Sequence, residues 1–172
     1  MRSVSGGIYV IMGVAGSGKS RVGSAFALAL GVPFVDGDDD HPAENVARMT
    51  RGEPLTDEHR AGWLRVLAAR IHDADVAGTG LVLTCSALKR AYRDVLRAGA
   101  AHGEVQFVFL RGARALIGER LAARRGHFMP VSLLESQLAT LEEPAPDERA
   151  WVCDITQSPE ALVAQLMAAV TT

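Results

Sequence analysis

Lysine is nearly missing from this chain of 172 residues, which holds only Lys19 and Lys89 against sixteen arginines. Cysteine is as scarce. Cys85 and Cys153 both end apolar runs and read as reduced, buried thiols, which excludes a disulfide framework and fits a cytoplasmic setting. No apolar run approaches the ~20 residues of a membrane-spanning helix. The first apolar run leads straight into a glycine-rich loop, which argues against a secretory leader. Charge of one sign is lacking too: a net charge of −2 and a pI near 6.2 speak against nucleic-acid or anionic-membrane partners. No internal repeat, low-complexity tract or linker breaks the chain, so residues 1–172 are expected to form one domain with a proper core.

What the sequence does contain is concentrated in Ile8 to Ser20, I-Y-V-I-M-G-V-A-G-S-G-K-S. Five apolar, β-prone residues predict a buried strand. The spacing Gly13-x-x-x-x-Gly18-Lys19-Ser20 is the full phosphate-binding pattern. Inward-facing N–H groups of Gly13, Val14, Ala15, Gly16, Ser17 and Gly18, with the positive end of the following helix, make a cradle for a polyphosphate. Lys19 is placed to neutralise the β- and γ-phosphates, and the Ser20 hydroxyl to ligate Mg²⁺. A chain that prefers arginine this heavily yet keeps lysine here points to a site needing a compact ammonium. The pattern predicts a nucleoside triphosphate site that takes Mg²⁺.

Apolar runs alternate with helical stretches throughout. Strands are expected at Ile8–Met12, Pro33–Asp36, Leu81–Cys85, Val105–Leu110 and Trp151–Ile155. Helices are expected at Gly18–Leu30, Glu44–Met49, Asp57–Ala77, Lys89–Ala98, Ala113–Arg124, Val131–Leu141 and Pro159–Val170. This predicts an α/β fold, a P-loop NTPase three-layer sandwich with a parallel five-stranded sheet covered on both faces. Ligands in such sheets sit beyond the carboxyl ends of the strands.

Residues just after the strands are therefore the candidates. Asp36 and Asp38 lie two apart, so a persisting strand would aim both the same way. One suits a Mg²⁺ contact, the other acceptance of a substrate proton. Asp39 and Asp40 read as surface residues. The third strand ends in Ser86 rather than an acid, so the carboxylate for the metal must come from elsewhere, and Asp36 or Asp38 is best placed. Ser86 reads as a helix cap or a substrate contact. Lys89, in a first helical turn where a cation is disfavoured, is a candidate for an anionic substrate group. Arg120 and Arg124 share a helix face before Gly126 and His127, the pattern of a lid over about 120–135 that carries arginine onto a transferring phosphoryl group. Trp63 reads as core. No Asn-Lys-x-Asp or Thr-Lys-x-Asp motif is present to read guanine.

With these residues in view, the chain resembles the gluconate kinase (gluconokinase) family of small P-loop kinases over nearly its whole length. The resemblance rests on Met12 to Ser20; Asp36-Gly37-Asp38 with His41-Pro42; Asn45 and Met49; Gly52 to Asp57, Arg60 and Trp63. It continues through Cys85 to Lys89 with Tyr92-Arg93, Arg124 to Phe128, and Gln137-Leu138 to Pro144. It implies ATP-dependent phosphorylation of the 6-hydroxyl of D-gluconate to 6-phosphogluconate, which feeds the pentose phosphate or Entner–Doudoroff routes. It also implies a nucleoside-monophosphate-kinase-like sheet with a lid, and a homodimer. On it, Asp38 is the general base, Asp36 supports Mg²⁺, and His41, Arg48, Arg60, Lys89 and His127 hold the substrate. Arg120 and Arg124 close over the phosphates, and a loop near Asp154–Pro159 flanks adenine. Two positions depart from the pattern: His59 stands where an acid usually precedes Arg60, and Gly62 where proline is common. Two other readings compete: a kinase of another small acid or polyol such as shikimate, and a nucleotide-dependent regulatory protein.

Overall fold

The computed structural model describes residues 6–124 and 131–172. Its centre is β1, Ile8–Met12, five apolar residues buried on both sides. Parallel neighbours flank it: β3 (Leu81–Thr84) pairs with Ile8 to Ile11, and β4 (Val105–Arg111) with Ile8 to Met12. β2 (Phe34–Asp36) and β5 (Trp151–Asp154) complete the order β2-β3-β1-β4-β5, all parallel. A sheet buried on both faces needs the near-continuous apolar runs that the sequence supplies. The helices are α1 (Lys19–Leu30), α2 (Ala43–Thr50), α3 (Asp57–Ala77), α4 (Arg90–Arg97), α5 (Arg114–Ala123), α6 (Val131–Thr140) and α7 (Pro159–Val170). Phe26, Leu67, Ile71, Leu96 and Phe107 pack between them and the sheet. No helix among the described residues is long and apolar enough to cross a membrane.

Element ends follow their caps. Thr56 accepts the His59 N–H at 3.2 Å while the His59 ring accepts the Thr56 N–H at 3.2 Å, so α3 starts on a reciprocal box. Ser158 accepts from Ala161 at 3.1 Å ahead of α7. Lys89 is the N-cap of α4 rather than a residue of its first turn, and its charge is paired with Asp57.

Two short 3₁₀ turns were not foreseen, Gly37–Asp40 and Pro146–Glu148. The first changes the site. The Asp36 carboxylate accepts the Asp38 N–H at 3.0 Å, so extended geometry stops at Asp36 and the strand period that would aim both carboxylates the same way does not reach Asp38. Asp40 is not a free surface acid either: Arg70 of α3 grips it at 2.5 and 2.8 Å, tying the turn to the long helix.

Gly37 sits where the turn crosses the end of β3. A methyl carbon there would lie 2.1 Å from the Thr84 carbonyl oxygen. Gly37→Ala should therefore push the turn off the sheet and destabilise the fold by about 3 kcal/mol, an overpacking cost. Thermal unfolding should show Tm lowered by roughly 6–12 °C; an unchanged Tm would mean that the backbone yields there without cost.

Candidate active site

The phosphate loop follows β1 directly. Gly13, Gly16 and Gly18 have φ of 150°, 83° and 96°, and Gly18 is the N-cap of α1. The cradle is close-fitting: a Cβ on Gly13 would meet the Ser17 hydroxyl at 2.7 Å, and one on Gly16 would meet Leu121 at 2.7 Å. Ser17 Oγ is buried and finds no partner among the described residues. Lys19 folds back, its Nζ donating to the carbonyls of Gly13 at 3.0 Å and Val14 at 3.1 Å. Burial lowers its pKa, with Asp38 and Asp36 opposing the shift. An ammonium short of solvent beside an orphaned hydroxyl and positive-φ glycines fits a bound polyphosphate.

Ser20 Oγ donates to Asp36 Oδ2 at 2.7 Å, and Thr84 Oγ1 donates to Asp36 Oδ1 at 3.1 Å. A hydroxyl and a carboxylate side by side are hard oxygen donors of the kind Mg²⁺ takes in addition to phosphate oxygens. Among the described residues no cluster of three or more His, Cys, Asp or Glu could hold a metal by itself.

A cavity of about 340 Å³ opens from the loop. Its polar wall carries Asp38, His41, Arg60 and Ser86, and its apolar wall Val46, Met49, Leu55 and Leu133. Arg60 is buried, with Nη1 donating to the Leu55 carbonyl at 2.8 Å and to the Tyr92 hydroxyl at 3.0 Å. The Tyr92 hydroxyl donates a hydrogen bond to Asp57, and Arg60 lies 5.3 Å from the Tyr92 ring centre. His41 stacks on Trp63 with ring centres 3.9 Å apart and planes 15° apart. Burial lowers its pKa, with Asp38 opposing and Arg60 assisting.

The arginines expected to act together separate. Helix α5 ends at Ala123, and Arg124 leaves it with extended geometry. Arg124 therefore lines the cavity, while Arg120 stays on the helix and donates to the Ile155 carbonyl at 2.5 Å. Arg120 braces the connection from β5 to α7 instead of facing the phosphate loop. Lys89 is also drawn aside: Asp57 holds its Nζ at 3.1 and 3.4 Å, so it sits at the rim and not in the cavity wall. Arg48 reaches Asn45 at 3.3 Å and likewise stays outside the wall. His127 lies outside the described residues, as do residues 125–130 of the segment expected to form the lid.

A family model described as an AAA domain matches residues 8–144. A gluconokinase of Gluconobacter oxydans is 44% identical over 158 residues, covering 92% of this chain and 88% of that protein. A thermosensitive gluconokinase of Escherichia coli is 45% identical over 151 residues, covering 85% and 77%. A solved gluconokinase from Sinorhizobium meliloti superposes with a TM-score of 0.86 at 45% identity, covering 96% of this chain and 92% of that one. This chain belongs to the gluconokinase family.

Within this gluconokinase-family chain the two departures near Arg60 have local answers. His59 completes the cap of α3 that an acid would otherwise complete, through its Nδ1. Gly62 lies inside α3, where the helix is already started by that cap. Sequence reasoning gave no site role to three residues that shape the site. Trp63 is buried as expected, but its Nε1 donates to the Gly37 carbonyl at 2.7 Å and its face carries His41. Asn45 bridges α2 to the start of α3 through the His59 carbonyl at 2.9 Å. Gln137 accepts the Ala15 N–H of the phosphate loop at 2.7 Å from across the cavity. In the sequence Gln137 was marked by the family resemblance, which gave it no role.

Proposed function

We propose that this chain transfers the γ-phosphoryl group of ATP to the 6-hydroxyl of D-gluconate, giving 6-phospho-D-gluconate. The observation that carries the reading is one cavity in which the phosphate loop faces Asp38, His41 and Arg60. Lys19 and Arg124 neutralise charge on the phosphates. Ser20 and Asp36 would hold Mg²⁺, which would supply charge neutralisation for the transferring phosphoryl group. Asp38 accepts the hydroxyl proton. Arg60, pinned through Nη1, offers its remaining N–H groups to the anionic acceptor, with His41 and Ser86 beside it. Arg48 and Lys89 meet substrate from beside the cavity, and His127 is a further substrate contact. The enzyme is a single kinase domain that works in the cytoplasm as a homodimer.

The test is ADP release with Mg-ATP and a panel of D-gluconate, shikimate, other sugar acids and neutral sugars. Strong preference for gluconate is expected. Asp38→Asn should keep the fold and KM for ATP, and lower kcat by about 10²- to 10⁴-fold, the range of a lost general base. Preference for another acceptor would overturn the substrate, and near-normal turnover in a folded Asp38→Asn protein would overturn the base.

A further inference from the structure

The position of the proton on neutral His41 decides whether its site-facing nitrogen can take a proton or only donate a hydrogen bond. The ring is fixed from several sides. Trp63 lies flat against it and also holds the Gly37 carbonyl, so one indole grips both ends of the turn that bears Asp38. His41 Nε2 faces Asp38 Oδ1 at 3.9 Å. On the opposite edge, Nδ1 lies 3.4 Å from Asn45 Nδ2.

Asn45 is 2% exposed, and its amide cannot be turned over freely. Its Nδ2 donates to the His59 carbonyl at 2.9 Å, and its Oδ1 accepts from Arg48 at 3.3 Å. Reversal would set oxygen against the His59 oxygen and N–H against a guanidinium, two repulsions in place of two hydrogen bonds. The group facing Nδ1 is therefore a donor. Only an unprotonated Nδ1 can accept from it, which leaves the proton of the neutral ring on Nε2, facing Asp38.

We infer that Asn45 fixes His41 as its Nε2–H tautomer, so that His41 and Asp38 grip one substrate hydroxyl from two sides, the first donating to it and the second accepting from it. The 3.9 Å between Nε2 and Oδ1 is too long for a direct hydrogen bond, yet an oxygen atom can sit at bonding distance from both. On transfer the hydroxyl oxygen bonds to phosphorus, and the bridging P–O bond breaks with its electron pair leaving on ADP. The hydroxyl proton passes to Asp38, while His41 keeps its own. The lowered pKa of the buried ring, faced by Asp38 and Arg60, agrees with a neutral imidazole. Asn45 and Trp63 are positioning residues, and the assignment rests on the kinase reading given above.

The decisive experiment is ¹⁵N NMR of the full chain with labelled histidine, the His41 signals being those that His41→Gln removes from the five histidines. The expected result at neutral pH is a protonated Nε2 and a bare Nδ1. A protonated Nδ1 would overturn the inference. Asn45→Asp, which presents only acceptors, should move a proton onto Nδ1. It should also lower kcat roughly 10- to 100-fold, the range of a lost hydrogen bond to a charged group, with KM for ATP held within about twofold. Unchanged ring signals in that variant would remove Asn45 from the assignment. Should it fail to fold, the wild-type spectrum still decides. Absence of gluconate turnover in the wild-type sample would instead overturn the proposed function and leave the tautomer standing.

Discussion

Lys19→Ala is expected to reduce turnover by about 10³-fold or more while leaving the fold intact. Lys19 opens α1, where alanine is at least as good a helix former, and among the described residues its Nζ donates to the carbonyls of Gly13 and Val14. Those contacts park the ammonium over the loop; they do not hold elements together. What the substitution removes is a half-buried positive charge beside the site where negative charge accumulates in transfer. Lys19→Arg should fail almost as badly, since a planar fork does not fit where a compact ammonium is folded between two carbonyls. Rates from an ADP-release assay, set against unfolding curves for the same proteins, check both points. A folded Lys19→Ala enzyme keeping a tenth of its turnover would remove the lysine from the mechanism.

Arg93→Met should produce the largest loss of stability, about 3–5 kcal/mol, the cost of leaving a buried carboxylate without its main partner. Arg93 and Glu148 side chains are 0% and 1% exposed and meet through two contacts of 2.7 and 3.0 Å. Arg93 also donates to the Ala87 carbonyl at 2.9 Å, holding a non-glycine residue at φ 46° next to Ser86 of the cavity. Glu148 in turn accepts from Arg97 at 2.6 Å and from the Ala145 N–H at 2.8 Å, closing the loop before β5. The Arg93 guanidinium, with Arg97 assisting, holds the Glu148 carboxyl down from an ordinary 4.5 to about 2.

A depressed carboxylate pKa stabilises the fold above the unfolded value and loses that effect as pH falls through the folded one. The difference between wild type and Arg93→Met in urea unfolding should thus be full at pH 7 and shrink between roughly pH 4.5 and 2. A difference that stays constant across that range would mean that the variant acts through packing alone. Replacing both partners, as in Arg93→Met with Glu148→Leu, should recover part of the loss, because no charge is then left buried alone.

Much of this was legible in the chain itself. All five strands and seven helices fall within a residue or two of where apolar runs and glycines put them, because β1 and its neighbours are buried on both faces and leave no ambiguity of period. The phosphate loop was equally plain, since Gly13, Gly18, Lys19 and Ser20 are demanded by local backbone geometry and by the ligand. The Asp36–Asp38 pair was only half legible. Their candidacy followed from position after a strand, but the turn that carries Asp38 starts on a side-chain cap that strand geometry does not announce.

Sequence alone therefore determined the sheet, the nucleotide loop and the set of acids and arginines near it, all of which are fixed by contacts within a few residues or by burial on a repeating period. Tertiary structure decided which members of that set meet. Arg120 and Arg124 part because α5 ends between them, and Lys89 is drawn to an aspartate 32 residues away. Trp63, read as core, becomes the pillar under His41, and Gln137 reaches a loop amide 122 residues distant. A hydrogen bond between distant side chains depends on where two elements come to rest, and neither local propensity nor periodicity carries that information.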